Sequence, residues 1–151
     1  MRWLLLLSAL ALRPAFAETI SGTVVSIIDG DTLVVQDAAK KRYIVRLAAI
    51  DAPEAKQAFW KESARSLAGL CYKKPAQVEW SERRRTRYIG YVTCDGKEAN
   101  AEQLKRGMAW SSRRASSPTS GLYELEAYAR LRKIGLWADD DAVAPWEFRK
   151  K

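Results

Sequence analysis

The acids and arginines of this chain gather where its strands are expected to end. Asp31 follows an Asp29-Gly30 pair, and Asp51 and Glu54 bracket Ala52-Pro53. Arg46 stands five residues ahead of Asp51, and Arg87 closes a stretch that already holds Arg83, Arg84 and Arg85. Two carboxylates at strand ends can hold a hard cation such as Ca²⁺, with backbone carbonyls and waters completing the shell. A third carboxylate, not consumed by the cation, can take a proton from water. Two guanidinium groups, here Arg46 and Arg87, suit a phosphate and the charge that develops on its oxygens. From spacing alone a plainer reading stays open. Asp29-Gly30-Asp31-Thr32 makes only a hairpin, Asp51 and Glu54 cap a helix and favour its dipole, and Arg46 pairs with one of those acids in a barrel.

Composition narrows the chemistry further. The 151 residues include no histidine, which removes Ser-His-Asp and Cys-His triads, HExxH zinc sites and every histidine-based nuclease mechanism. Two cysteines cannot build a four-thiolate zinc or iron–sulfur site. Catalysis, if present, uses carboxylates, Lys, Arg, Tyr or a hard metal ion held by oxygen. Lys and Arg number 26 against 18 Asp and Glu, a formal charge of +8, which implies a polyanionic partner or simply a soluble surface. Arg83, Arg84, Arg85 and Arg87 repel one another unless an anion sits among them, and arginine suits bidentate phosphate contact. The Arg149-Lys150-Lys151 cluster reads as a solvated face.

The elements that must position these groups follow a leader. Arg2, an apolar run over residues 3–12 and Ala15-Phe16-Ala17 form a signal peptide with cleavage before Glu18, so residues 18–151 are the expected domain and the destination is secreted or periplasmic. The apolar run is too short to span a bilayer, so no stable membrane association is expected after cleavage. In an oxidising compartment Cys71 and Cys94 are expected to pair, two buried free thiols being the alternative. Strands are expected over residues 19–28, with a bulge or bend at Gly22, then 33–35 and 43–50, with Asp29-Gly30 as a two-residue hairpin turn. A helix over 55–70 begins near Pro53, and strands follow at 78–80 and 88–94. Asn100 with Gln103 reads as the cap of a short helix ending near Gly107. A loop at 116–121 leads to a last helix over 122–134. Three strands, a helix and two more strands is the order of an OB-type barrel, an α+β fold with a five-stranded barrel and three helices.

Taken together, Asp29-Gly30-Asp31-Thr32 and Arg46-Leu47 running into Ile50-Asp51-Ala52-Pro53-Glu54 resemble the signature of the staphylococcal-type thermonuclease (micrococcal nuclease) family. The likeness continues through Gln57-Ala58-Phe59, the 88–96 strand, Ala99-Asn100-Ala101-Glu102-Gln103, Gly107-Met108-Ala109-Trp110, Gly135-Leu136-Trp137 and Pro145-Trp146-Glu147. The resemblance implies calcium-dependent endonucleolytic hydrolysis of DNA and RNA, single-stranded or locally open, by a monomer that leaves 3′-phosphorylated ends. It implies Asp31 and Asp51 as calcium carboxylates, Ala52 as a ligand through its carbonyl, Glu54 as general base, and Arg46 and Arg87 on the scissile phosphate. Departures surround this set. The family's Asp-Arg-Tyr-Gly-Arg stretch is Arg83-Arg84-Arg85-Thr86-Arg87 here, and loss of its glycine is expected to reshape the turn that aims Arg87. Trp60 replaces a glycine near the first helix. The aromatic stretch after Trp110 becomes Ser111-Ser112-Arg113-Arg114, so Arg83, Arg84, Arg85 and Arg113 are expected to contact neighbouring phosphates. The alternative is the same barrel as a nucleic-acid-binding module with weakened or lost catalysis.

Overall fold

The computed structural model describes residues 18–112 and 121–150, so the expected leader and Arg113 lie outside the described residues. Alternating apolar side chains build the first three strands. β1 (Glu18–Ile27) buries Ile20 and Val24, β2 (Thr32–Gln36) buries Leu33 and Val35, and β3 (Arg42–Leu47) buries Val45 and Leu47. The period of two leaves Arg46 on the outer face, between two core residues. After the two-residue β4 (Ile50–Asp51) comes α1 (Trp60–Cys71), which buries Ser63, Leu67, Leu70 and Cys71 against the barrel. β5 (Pro75–Arg84) and β6 (Arg87–Cys94) form a hairpin. β5 pairs back onto β1, while β6 runs parallel to β3 with Arg46 opposite Ile89. That parallel pairing closes a five-stranded mixed barrel, an OB-type α+β fold.

Short β7 (Lys97–Glu98) leads into α2 (Ala99–Lys105), and β8 (Trp110–Ser111) pairs with β4. α3 (Leu122–Leu131), a 3-10 helix (Gly135–Ala138) and the one-turn α4 (Pro145–Phe148) complete the described chain. They enclose a second apolar cluster of Trp110, Ala129, Leu136 and Trp137, with Phe59 and Trp146 at its edge. The Trp110 and Trp137 rings meet edge to face at 5.2 Å. Cys71, at the end of α1, is disulfide-bonded to Cys94, at the end of β6. No helix among the described residues is long and apolar enough to cross a membrane.

Where the elements depart from the sequence reading, local hydrogen bonding explains it. The strand expected over 43–50 breaks at Ala48-Ala49, because Ala49 is left-handed (φ 63°) and its carbonyl accepts from Ser112 N at 2.8 Å. The first helix starts at Trp60 and not near Pro53: Gln57 takes the Glu54 N–H on its side chain, and Phe59 turns left-handed at φ 66°. The β1–β2 connection runs over residues 28–31, longer than two residues, with Ile28 N and Asp29 N both donating to Thr32 O. The bulge falls between Val24 and Ser26 and not at Gly22. Gly22 instead permits close approach, since a Cβ there would lie 2.2 Å from the Gln36 carbonyl oxygen. Asn100 is no cap; it sits inside α2, fully buried. The last helix stops at Leu131, and Gly135 begins the 3-10 helix that follows.

Candidate active site

Three separate devices bring the acids together. The 28–31 connection folds onto itself, with Asp31 N donating to Asp29 Oδ1 at 3.0 Å. Gly30 is pressed so closely against α1 that a Cβ there would meet Ser63 Oγ at 1.8 Å, and its carbonyl accepts from Gln103 Nε2 at 2.7 Å. The break at Ala48-Ala49 redirects the chain into β4 and thereby delivers Asp51 and Ala52. Asn100 fixes that break: its Nδ2 donates to Ala48 O at 2.8 Å while its Oδ1 accepts from Val92 N at 3.0 Å. Finally Gln57 holds Glu54, accepting its backbone N–H at 2.9 Å.

The result places Asp31 and Asp51 on one guanidinium. Arg46 donates to Asp31 Oδ1 at 3.2 Å and to Asp51 Oδ1 at 2.9 Å. Asp31 also accepts from the Thr32 hydroxyl and, through Oδ2, from Ala52 N, both at 2.8 Å. Burial pushes the Asp31 carboxyl up to about 7, with Arg46 pulling the other way and Asp29 adding to the rise. Burial alone would lower the pKa of Arg46, but Asp31 and Asp51 outweigh it and hold it above its ordinary value. The pairing of Arg46 with acids that spacing had left open as a plain barrel contact is therefore present, and it is what joins the two aspartates.

A second arginine enters that sequence reading had placed on a solvated face. Arg149, just past α4, donates through Nη2 to Asp51 Oδ2 at 2.9 Å and through Nη1 to Glu54 Oε1. A longer contact runs from its Nη1 to Asp51 Oδ1 at 3.4 Å. Hydrogen bonding to Asp51, then to Glu54, raises its pKa above the ordinary arginine value. Sequence reasoning also missed Gln57, Asn100 and Gln103 as positioning residues. Their polar side chains are buried, and burial is a property of the assembled fold.

Arg87 opens β6, where its parallel register partner is Ile44. Ile44 and Arg46 alternate onto one face of β3, so Arg87 stands on the same outer face as Arg46. It is exposed, and no ion pair among the described residues engages it. The altered turn ahead of it closes in two residues, Arg85 and Thr86, between the paired Arg84 and Arg87. Its left-handed position is Arg85 (φ 54°), so position 86 requires no glycine. Arg83 lies over the Tyr88 ring at 5.3 Å, and Arg84 pairs with Glu82 at 2.5 Å.

The donor set suits a hard cation. Asp31 and Asp51 offer carboxylate oxygens and Ala52 a backbone carbonyl, and burial works against the charge on Asp31, which a cation beside it would offset. Among the described residues no three acid or cysteine side chains converge as a metal cluster, so the protein would supply two carboxylates and a carbonyl, with water completing the shell. A closed OB-type barrel with acids and guanidiniums near its strand ends is an architecture on which oligonucleotide and oligosaccharide sites are commonly built. The family model described as staphylococcal nuclease homologue matches residues 44–139. A micrococcal nuclease of Shigella flexneri is 38% identical over 91% of this chain and 84% of its own. A protein named as an uncharacterized endonuclease of Haemophilus influenzae is 37% identical over 85% of this chain and 72% of its own. One of the same description from Escherichia coli O157:H7 is 36% identical over 91% of this chain and 90% of its own. The chain belongs to the staphylococcal nuclease family.

Proposed function

We propose that this nuclease is a calcium-dependent endonuclease that hydrolyses DNA and RNA with little sequence preference, and that it acts as an exported monomer. One observation carries the reading: Asp31, from the β1–β2 connection, and Asp51, from β4, grip the same Arg46 guanidinium, and Glu54, three residues on, shares Arg149 with Asp51. Asp31, Asp51 and the Ala52 carbonyl would hold Ca²⁺, which would supply positive charge to the phosphodiester and the attacking water. Glu54 takes the proton of that water as its oxygen bonds to phosphorus. Arg46 and Arg87, on one face of the paired β3 and β6, donate to the phosphate oxygens as negative charge builds there. The bond from phosphorus to the 5′ oxygen breaks, that oxygen takes a proton from water, and a 3′-phosphate and a 5′-hydroxyl remain. Arg83, Arg84, Arg85 and Arg113 meet neighbouring phosphates and add affinity that falls with salt. Export is supported by the Ala15-Phe16-Ala17 pattern and by the disulfide, a bond favoured outside the cytosol.

A plasmid-nicking assay with CaCl₂ or with chelator tests this reading. Cleavage that requires Ca²⁺ and stops in chelator is expected, and undiminished hydrolysis in chelator overturns it. Salt-dependent binding of nucleic acid without any nicking would leave the binding-module alternative standing.

A further inference from the structure

We infer that Arg149 is a built-in competitor for the cation: its guanidinium fork holds Asp51 and Glu54 and opposes a divalent ion at Asp51 by occupying its oxygens with like charge. This rests on the calcium reading above and adds a residue that sets the affinity of the site. Asp51 has two oxygens, and both already receive N–H donors, Oδ1 from Arg46 and Oδ2 from Arg149. Each oxygen can accept more than one contact, as Oδ1 does from Arg46 and Arg149, but a cation on Asp51 would stand beside a guanidinium of like charge, and the two compete for the carboxylate. Arg46 is the harder to move, because its side chain is 30% exposed, springs from a barrel strand and also serves Asp31. Arg149 is 45% exposed and follows a single helical turn. It also bonds Glu54, so its withdrawal frees that carboxylate to accept a proton.

The fork is held close by the chain around it. Gln57, which accepts the Glu54 N–H, donates from its Nε2 to Val143 O at 2.5 Å, tying the turn that carries Glu54 to the segment that carries Arg149. Pro145 is buried and Trp146 packs at the edge of the Trp110–Trp137 cluster. Anchoring of this kind keeps the guanidinium at a high effective concentration beside its carboxylates, so competition does not depend on finding them from solution. A guanidinium is also weakly hydrated, which suits it to a partly buried carboxylate pair that a strongly hydrated ion must dehydrate to enter.

The test is a titration of the metal-free protein with CaCl₂ in the absence of nucleic acid, by calorimetry and by tryptophan fluorescence, for the wild type, Arg149→Gln and Arg149→Lys. If the fork occupies its carboxylates in about nine molecules of ten, Arg149→Gln should bind Ca²⁺ about 10-fold more tightly. Arg149→Lys keeps the charge without the fork and should fall between the two. A double-mutant cycle of Arg149→Gln with Glu54→Gln, read as thermal stability in chelator, should show coupling between the two side chains. Equal or weaker Ca²⁺ affinity in Arg149→Gln overturns the competition. So does unchanged Ca²⁺ affinity with a raised KM for nucleic acid, which makes Arg149 a phosphate contact. Absence of Ca²⁺ binding in every protein, with the coupling intact, is a distinct failure: it removes the calcium reading and leaves nothing to compete for.

Discussion

Replacing Asn100 separates a helix cap from an internal clamp. As a cap, Asn100 would be worth about 1 kcal/mol, and serine or aspartate would serve almost as well. The structure instead puts its amide between β6 and the break after β3, fully buried, accepting from Val92 N at 3.0 Å and donating to Ala48 O at 2.8 Å and more weakly to Gly90 O at 3.4 Å. Gly90 O keeps a second donor, Ala48 N at 2.8 Å, so it is not orphaned by a substitution. Val92 N and Ala48 O lose these bonds. At about 1–3 kcal/mol for each buried group left unsatisfied, Asn100→Leu should cost about 3–5 kcal/mol and lower Tm by roughly 10 °C or more. Asn100→Ser, too short to span both partners, should cost nearly as much. Urea and thermal unfolding of the three proteins decide the matter. A loss near 1 kcal/mol, with serine tolerated, would refute the clamp. Because Ala48 leads directly into Asp51, Asn100→Leu should also weaken Ca²⁺ binding beyond its effect on folding, measured at a temperature where each variant remains folded.

Glu54→Gln keeps shape but removes the proton acceptor, so turnover in the nicking assay should fall by roughly 10²–10⁴ with nucleic-acid binding largely intact; a wild-type rate would remove Glu54 from the mechanism. Arg87→Ala should lower the single-turnover rate by about 10²–10³ with a modest change in binding, and an intact rate would mean that its guanidinium does not reach the phosphate. Arg83→Ala with Arg84→Ala should do the reverse, flattening the log–log salt dependence of single-strand binding by about 1–1.4 and sparing the chemical step. The Cys71–Cys94 bond closes a sequence separation of 23 residues, so replacing both cysteines with alanine should destabilise the fold by roughly 3 kcal/mol, as followed by calorimetry. A Tm within a degree or two of the wild type would contradict that value.

How much was legible in the sequence depended on whether a residue acts through its neighbours in the chain. Val45 and Leu47 alternate with Arg46, and that period alone places the arginine on an outer barrel face. Asp31 and Glu54 lie in short connections and Asp51 ends β4, and their Asp-Gly and Asp-Ala-Pro-Glu patterns mark where strands stop, so their gathering at strand ends was readable from composition and spacing. The breaks inside those patterns were not. Ala49 has no sequence signature for φ 63°; the conformation follows from tertiary bonds, Asn100 on Ala48 and Ser112 on Ala49. Pro53 looks like a helix start because proline suits a first turn, yet the side chain of Gln57 satisfies Glu54 N and defers the helix to Trp60.

The two arginines that hold Asp51 show the same division more sharply. Arg46 is fixed by strand register, a short-period pattern, whereas Arg149 lies 98 residues from Asp51 in a basic run whose composition suggests only solvent. It follows a helical turn in which Pro145 is buried and Trp146 packs on a cluster assembled from α3, β8 and the 3-10 helix. A charge run near a structured tryptophan differs physically from one on a free tail, because burial of the ring fixes where the neighbouring cations can reach. Lys150 makes the contrast within the same turn. Among the described residues its Nζ pairs with Glu147, at 2.9 Å and three residues away, an exposed pair of small energetic weight. Arg149, one residue earlier, projects instead onto the carboxylates of Asp51 and Glu54. The basic cluster thus divides between a solvated face at Lys150 and a guanidinium held by two carboxylates at Arg149.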